Sequence, residues 1–328
     1  MSLSGSVPLT FCISIPIFGQ ADLLPTALTS LAAQKVDINI AVMDASADDA
    51  AQDVLNMHPG LPITYRRHGP DSGQAEAIQE GWNATQGDIL SWLNADDYLM
   101  PGCLEIVEAI FKSNTHIDVV YGDAVFVDRE GRFNTYFPSI SENIADIRFH
   151  CCISQPACFV RRAAVERVNG VNAGLHYIMD WDLWTRLYLS GAKFQYVRRP
   201  LAVVRMYAET KTSSGGRTRL NEIYGHLKKH APYLKRIKSL IAFVAETETT
   251  GRALQLVIGG YAIGKRFISG VLGKKELKQY GIEVLSNRCM PQAVQHNLPA
   301  AGQPLPTSLR HLLQTAHNGH SRSAVPIL

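Results

Sequence analysis

The sequence predicts an open α/β fold: a mixed, mostly parallel sheet with flanking helices, followed by a C-terminal helical region. Three observations carry this. Short β-branched runs alternate with segments of helical periodicity from Leu9 to about Arg205. Several of those runs end near a carboxylate, where ligands of open α/β sheets bind. Beyond Ser213-Ser214-Gly215-Gly216 the composition becomes basic and helix-like.

The strands are expected at Thr10 to Ile15, Asn39 to Met43, Ile63 to Arg66, Ile89 to Leu93, Val119 to Tyr121 and Lys193 to Val197, each a short run rich in β-branched or aromatic residues. Helices lie between them. Leu23 to Ala33 has apolar residues at helical spacing, Ser72 to Thr85 opens on a Ser-Gly turn, and Pro101 marks a helix start. Asp44 follows the second strand, Asp71 the third, and Asp96 with Asp97 the fourth, so these acids should line one crevice. The expected division is a first domain over 1–215, a basic helical region over 216–285 and a Pro-, Gln- and Ser-containing tail over 286–328 without stable order.

Composition excludes several classes. With 328 residues, 46% hydrophobic and 19% charged, the chain is neither disordered, collagenous nor a coiled coil, and it can build a large core. The 6 cysteines, at 12, 103, 151, 152, 158 and 289, fit neither a disulfide scaffold nor zinc-ligand spacing and read as reduced thiols. No basic residue precedes Lys35, and Pro8 and Pro16 interrupt the first apolar run, which argues against a secretory signal. The apolar stretch Ala253 to Leu272 contains Lys265, Arg266 and several glycines, which argues against a membrane span. The expected compartment is the cytosol.

The net charge of +3 hides an asymmetry. Residues 217–328 hold 16 Lys/Arg against 5 Asp/Glu, leaving 16 basic and 24 acidic residues before them. An acidic first part suits a divalent metal, and a basic second part suits an anionic surface. The basic segment lacks a nucleic-acid-binding module; a solvated face is the first expectation for it, with contact with the inner face of a membrane, or packing on the first domain, as the alternatives.

No Gly-x-Gly-x-x-Gly follows the first strand and no Gly-x-x-x-x-Gly-Lys loop appears, so hydride-transfer and P-loop readings lose most of their support. The first strand instead runs into Pro16-Ile17-Phe18-Gly19, a turn better suited to holding a base or ribose. The densest signal is Trp92-Leu93-Asn94-Ala95-Asp96-Asp97. Two adjacent acids at a strand end repel unless a cation or donor offsets them, and Mg²⁺ or Mn²⁺ would do so while sharing substrate phosphates. If the strand's alternation continues, Asn94 and Asp96 share one side, making Asp96 the preferred ligand. Asp97 either joins the metal or caps the helix starting near Pro101.

A second signal is Met179-Asp180-Trp181-Asp182-Leu183-Trp184-Thr185-Arg186. Asp182 has Arg186 one turn on, an exposed pair worth about 0.3 to 0.5 kcal/mol. Asp180 has no such partner and sits at a helix N-terminus, where the dipole favours the ionised form that a general base requires; helix capping is the competing role. Trp181 and Trp184 serve either the core or a sugar face. Gln155 suits a site role or a backbone hydrogen bond, and His176, four residues before Asp180, suits a local hydrogen bond, with an acceptor-pocket role as the alternative.

Taken in order, Ser14-Ile15-Pro16, Asp44, Asp71-Ser72-Gly73-Gln74-Ala75-Glu76-Ala77-Ile78, Gly81, Trp92 to Asp97, Gln155-Pro156-Ala157-Cys158-Phe159 and Asp180 to Trp184 resemble the inverting family 2 glycosyltransferases of GT-A fold that build bacterial surface polysaccharides. The resemblance covers nearly two-thirds of the chain. It implies that Pro16, Asp44 and Asp71, with Gly73 in the same motif, help hold the nucleotide, that Asn94 and Asp96 occupy the Asp-x-Asp element, and that Asp180 is the base. Asn94 stands where many relatives carry the first Asp, and Asp44-Ala45-Ser46-Ala47-Asp48 lacks the glycine often found after that acid.

The function so implied is transfer of a sugar from a nucleotide-diphosphate sugar to a saccharide or lipid-linked acceptor, with a divalent metal at Asp96 and Asp97. Two alternatives compete. A sugar-1-phosphate nucleotidyltransferase would need a basic, glycine-rich loop after the first strand, where Phe18-Gly19-Gln20-Ala21-Asp22 has no basic residue. A non-catalytic nucleotide-sugar binding protein would bind without turnover.

Overall fold

The computed structural model describes residues 8–139, 143–211, 215–236 and 239. The expected tail, the apolar stretch 253–272, Cys289 and most of the basic helical region lie outside them.

A nine-stranded sheet forms the body, in the order β3-β2-β1-β4-β8-β6-β9-β5, with β7 also on β6. Its first half is parallel: β1 (Thr10–Ile17) lies between β2 (Asp37–Asp44) and β4 (Ile89–Trp92), and β2 carries β3 (Ile63–His68). Residues of β1 from Phe11 to Ile17 are buried, the continuous pattern of a strand covered on both faces. Helices α1 (Leu24–Ala32), α2 (Ala50–Asn56) and α3 (Gln74–Ala84) make the crossovers. Strand order reverses at β1, which puts a topological switch point at the carboxyl ends of β1 and β4.

Pro16 fits this place. Ser14 C=O accepts from Leu93 N–H on the β4 side, so the residue two further on faces that side too, where β4 has already ended. Proline's missing N–H therefore breaks no ladder bond.

The second half is mixed. β6 (Val119–Val127) pairs antiparallel with β8 (Cys158–Arg161) and β7 (Phe133–Phe137), and parallel with β9 (Phe194–Arg205), which in turn holds the two-residue β5 (Tyr98–Leu99). Helices α4 (Cys103–Ser113), α5 (Arg162–Arg167) and α6 (Met179–Leu189) follow β5, β8 and a long loop.

Two cores result. One packs α1, α2 and α4 on the sheet; the other packs α3, α6 and the C-terminal helix α7 (Gly216–His230) on its opposite side. In the second, Trp92 stacks on Trp184 at 5.7 Å and meets Trp82 edge-on at 5.7 Å, tying α6 and α3 to β4. Trp181 and Trp184 are 6% and 1% exposed, so both belong to the core and neither offers a face to a sugar. Helix α7 follows the expected linker, yet it buries Ile223 and Leu227 in this same core and lays His226 on Trp181 at 4.4 Å. Among the described residues, no helix is long and apolar enough to cross a membrane.

Candidate active site

The carboxyl ends of β1 to β4 place the sequence-predicted residues along one edge of the sheet. Asp44, last in β2, is fully buried and accepts from Ser46 N–H at 2.9 Å, Gln52 Nε2 at 2.9 Å and His68 Nδ1 at 2.8 Å. Burial raises its pKa, but these donors outweigh burial and hold the carboxyl below its ordinary range. Asp44 thus organises the end of β2 and presents His68. Phe18, just past β1, is 75% exposed at the same edge.

Asp71 closes a tight turn. Its Oδ1 accepts from Gly73 N–H at 2.9 Å and its Oδ2 pairs with Arg67 at 3.0 Å. Gly73 has φ +130, a region closed to most side chains, and it directly precedes α3. Glu76 reaches back to Ser72 N–H at 3.0 Å, completing the helix start.

After β4 the chain turns instead of continuing extended: Asp97 N–H donates to Asn94 C=O at 3.1 Å. The expected alternation therefore fails, and Asn94 and Asp97 meet, Asn94 Nδ2 donating to Asp97 Oδ2 at 3.0 Å. Asp97 does not cap α4, whose N-cap is Gly102. Its other oxygen accepts from Arg205 N–H at 3.0 Å, and at 3% exposure it is the inner acid of the pair. Burial and then the adjacent Asp96 push its carboxyl well above the usual range. Asp96 is the part-exposed acid; its Oδ2 accepts from Tyr207 O–H at 2.9 Å. Burial raises its pKa too, against the pull of Tyr207 and of Arg205 and Arg129.

No group of three metal-ligating acids, histidines or cysteines occurs among the described residues. The donor set here is hard carboxylate oxygen from one or two adjacent acids. That suits Mg²⁺ or Mn²⁺ sharing its remaining positions with phosphate and water, and does not suit zinc.

Asp180 lies in the first turn of α6, half-buried, its Oδ1 accepting from Trp181 N–H at 2.7 Å. Burial raises its pKa, while that backbone bond and the cations Arg219 and Lys211 pull it down; the net position is above an ordinary aspartate. The dipole argument alone gave the opposite sign because it ignored burial. Asp182 pairs with Arg186 at 2.6 Å as expected, but with Asp182 only 7% exposed this pair is not a surface one.

Two links bring the Asp180 segment to the strand-end network. Gln74 Nε2 donates to Asn94 Oδ1 at 2.7 Å, and Lys211 Nζ donates to Gln74 Oε1 at 3.0 Å. Lys211 also lies within Coulombic reach of Glu222, Asp180 and Asp71. The second link is His176, whose ring would be 3.6 Å from a β-carbon placed on Gly73. Gln155 takes both roles left open for it: its amide donates to Trp92 C=O at 2.7 Å, and its Oε1 accepts from Asn94 at 3.4 Å. A separate groove on the outer side of α3, lined by Glu76, Gln79, Glu80 and Val171, contains none of the candidates.

Sequence reasoning missed Gln74 as a link, and it missed Tyr207, Lys211 and Glu222 altogether. Gln74 stood inside a recognised motif; the others carry no local pattern, because they arrive from beyond β9.

The comparisons with known proteins agree with this architecture. The model of "Glycosyl transferase family 2" matches residues 12–168. An uncharacterized glycosyltransferase of Haemophilus influenzae is 22% identical over 233 residues, covering 69% of this chain and 78% of that one. The S. aureus TarS 1–349 structure with UDP-GlcNAc superposes with a TM-score of 0.53 at 15% identity, covering 88% of this chain and 84% of that one. The mannosyltransferase PcManGT from Pyrobaculum calidifontis, in complex with GDP-Man and Mn²⁺, gives 0.50 at 15% identity, with 86% of each chain covered.

Proposed function

On the match of residues 12–168 to the glycosyl transferase family 2 model and on the GT-A fold, we propose that the chain moves a sugar, with inversion, from a nucleotide-diphosphate sugar to an acceptor hydroxyl, with Asp180 as the base. The observation that carries this is the hydrogen-bonded bridge from Asn94 through Gln74 to Lys211, whose charge acts on the Asp180 carboxyl. It supports a single cleft with the donor's diphosphate on one side and a proton acceptor on the other.

The roles divide by geometry. Pro16, Phe18, Asp44, Asp71 and Gly73 form the edge at which base and ribose would lie, Phe18 offering a ring face and Asp44 acting through His68. Asn94, Asp96 and Asp97 face the diphosphate. Asp96, with Asp97 behind it, would hold a divalent cation, which when bound offsets the diphosphate charge and improves the leaving group. Tyr207 orients Asp96, and Arg205 N–H with Asn94 fixes Asp97. Asp180 accepts the acceptor hydroxyl's proton as the oxygen forms its bond to the anomeric carbon. The bond from that carbon to the diphosphate oxygen breaks, the electron pair leaves with the nucleotide diphosphate, and the configuration inverts. The raised pKa of Asp180 makes it a stronger base once ionised.

Saccharide or lipid-linked saccharide is the acceptor class in this reading, and polysaccharide synthesis in the cytoplasm its setting. A membrane contact is supported by Tyr224, Tyr233 and Leu234, which are exposed near Lys228, Lys229 and Lys235. Each such cation is worth about 1 kcal/mol near anionic lipid. Co-sedimentation with anionic vesicles should be strong at low salt and lost at high salt; equal binding to neutral vesicles would contradict the contact.

The test of the main reading is nucleotide release. The purified chain should release UDP or GDP from one member of a panel of UDP- and GDP-sugars with Mn²⁺ or Mg²⁺, faster when a saccharide acceptor is added. Tight binding of a donor with no release under any of these conditions would favour a non-catalytic binding protein.

A further inference from the structure

Helix α6 begins without a cap of its own. Its N-cap residue is Ile178, which has no side-chain acceptor, and the amides leading into a helix start need partners from elsewhere. Here they come from α7. Glu222 Oε1 accepts from His176 N–H at 2.9 Å, and Oε2 accepts from Tyr177 N–H at 2.8 Å and Ile178 N–H at 3.2 Å. One carboxylate thus gathers three consecutive amides, 44 to 46 residues away in sequence, two residues short of Asp180.

We propose that Glu222 is a positioning residue for the base: by fixing residues 176 to 178 it sets the aim of the Asp180 carboxylate into the cleft. This rests on the reading of Asp180 given above. Three further observations support it. The bonds are charge-assisted and lie at the positive end of the α6 dipole, where a carboxylate is held most firmly. Docking of α7 does not need them, because Ile223, Leu227 and the His226–Trp181 contact already bury that helix face against α6. The same fixed segment carries His176, whose ring neighbours Gly73 at the start of α3, so its placement bears on both sides of the cleft. Arg219, one turn before Glu222 on α7, acts on the Asp180 carboxyl electrostatically, so one helix serves the base twice.

The experiment compares the wild type with Glu222→Ala, Glu222→Gln and Asp180→Asn, using the nucleotide-sugar that the wild type turns over. Glu222→Ala should lower kcat by about 10- to 10²-fold, the cost of misaiming a reacting group, and leave the donor KM and nucleotide diphosphate affinity within about twofold. Glu222→Gln, whose amide oxygen can still accept, should recover part of the loss. Adding Glu222→Ala to Asp180→Asn should remove little more, since residues acting as one unit are not additive. A Glu222→Ala enzyme with wild-type kcat, a loss confined to donor KM, or full additivity would overturn the inference. If Asp180→Asn keeps its turnover, the base assignment falls, which is a separate outcome. Should Glu222→Ala not fold, Glu222→Asp, one methylene short of reaching all three amides, carries the same comparison.

Discussion

Gly81 lies inside α3 against the two central strands, and replacing it by alanine tests the packing that positions the donor side. A β-carbon there would sit 2.4 Å from Ser14 Oγ, 3.0 Å from Ala41 Cβ and 3.1 Å from Ser14 Cβ. The first distance is impossible without movement and the others are tighter than ordinary contacts. Ser14 and Ala41 belong to β1 and β2, which are hydrogen-bonded to neighbours and cannot withdraw, so α3 must lift. Overpacking of this kind costs about 1 to 3 kcal/mol, and the helix preference of Ala over Gly returns up to about 1 kcal/mol. A clash this severe belongs at the upper end of that range, so the net cost is about 2 kcal/mol, or roughly 4 to 8 °C in Tm for a body of this size.

Ser14→Ala is the control. Ser14 Oγ is buried and has no hydrogen-bond partner among the described residues, so removing it should be neutral or stabilising. In that background the worst clash disappears, and Gly81→Ala should cost about 1 kcal/mol less than in the wild type. The assay is thermal unfolding of the four proteins of the cycle, with nucleotide diphosphate affinity as a second readout, because a lifted α3 also carries Gln74 away from Asn94. A Gly81→Ala protein as stable as the wild type, or strict additivity with Ser14→Ala, would refute the packing argument.

Other expectations follow from the site. Asp44→Asn should cost about 1 to 3 kcal/mol at neutral pH by weakening bonds from Ser46, Gln52 and His68 to a buried carboxylate. Because the Asp44 carboxyl is held low, its contribution is present above the unfolded pKa and lost as pH falls through the folded one; acid unfolding curves should therefore be shallower in Asp44→Asn, and unchanged curves would contradict this. The acid limb of kcat should lie above the range of an ordinary aspartate, since burial raises Asp180. Arg219→Gln should move the limb higher by removing a cation that favours the ionised form, whereas a downward shift would be the wrong sign. Tyr207→Phe frees Asp96 from its one side-chain hydroxyl donor among the described residues and should weaken Mn²⁺-dependent nucleotide diphosphate binding by about tenfold, as measured by titration calorimetry.

How much of this was legible in the sequence depended on whether the signal was local. Strands β1, β2 and β4 are nearly continuous buried runs and the edge strand β3 alternates half-buried with exposed residues, so their positions could be read directly. The rest of the sheet could not: β5 is two residues, and β9 runs to Arg205 through Arg198-Arg199-Pro200, a stretch that ended the expected strand at Val197. The ladder absorbs that proline by a register shift opposite Asp123. Cys158-Phe159 was read as the end of a motif, and only the pairing with β4 and β6 makes Cys158–Arg161 a strand.

The site divides the same way. Asp96 and Asp180 stood out from their neighbours, but the geometry after Trp92 did not, because a turn replaces the extended alternation there. Trp181 and Trp184 were open between core and ligand until burial decided. Lys211 and Glu222 have nothing around them in sequence that marks a function; the fold alone brings them to the Asp180 segment, through β9 and α7.

The most direct test of the shared cleft separates binding from chemistry at its two ends. Asp180→Asn should lose about 10² to 10⁴ in turnover of the nucleotide-sugar while binding nucleotide diphosphate as the wild type does, and Asp96→Ala should lose Mn²⁺-dependent binding as well. Near-wild-type turnover by Asp180→Asn, or unaltered Mn²⁺-dependent binding by Asp96→Ala, would contradict the account.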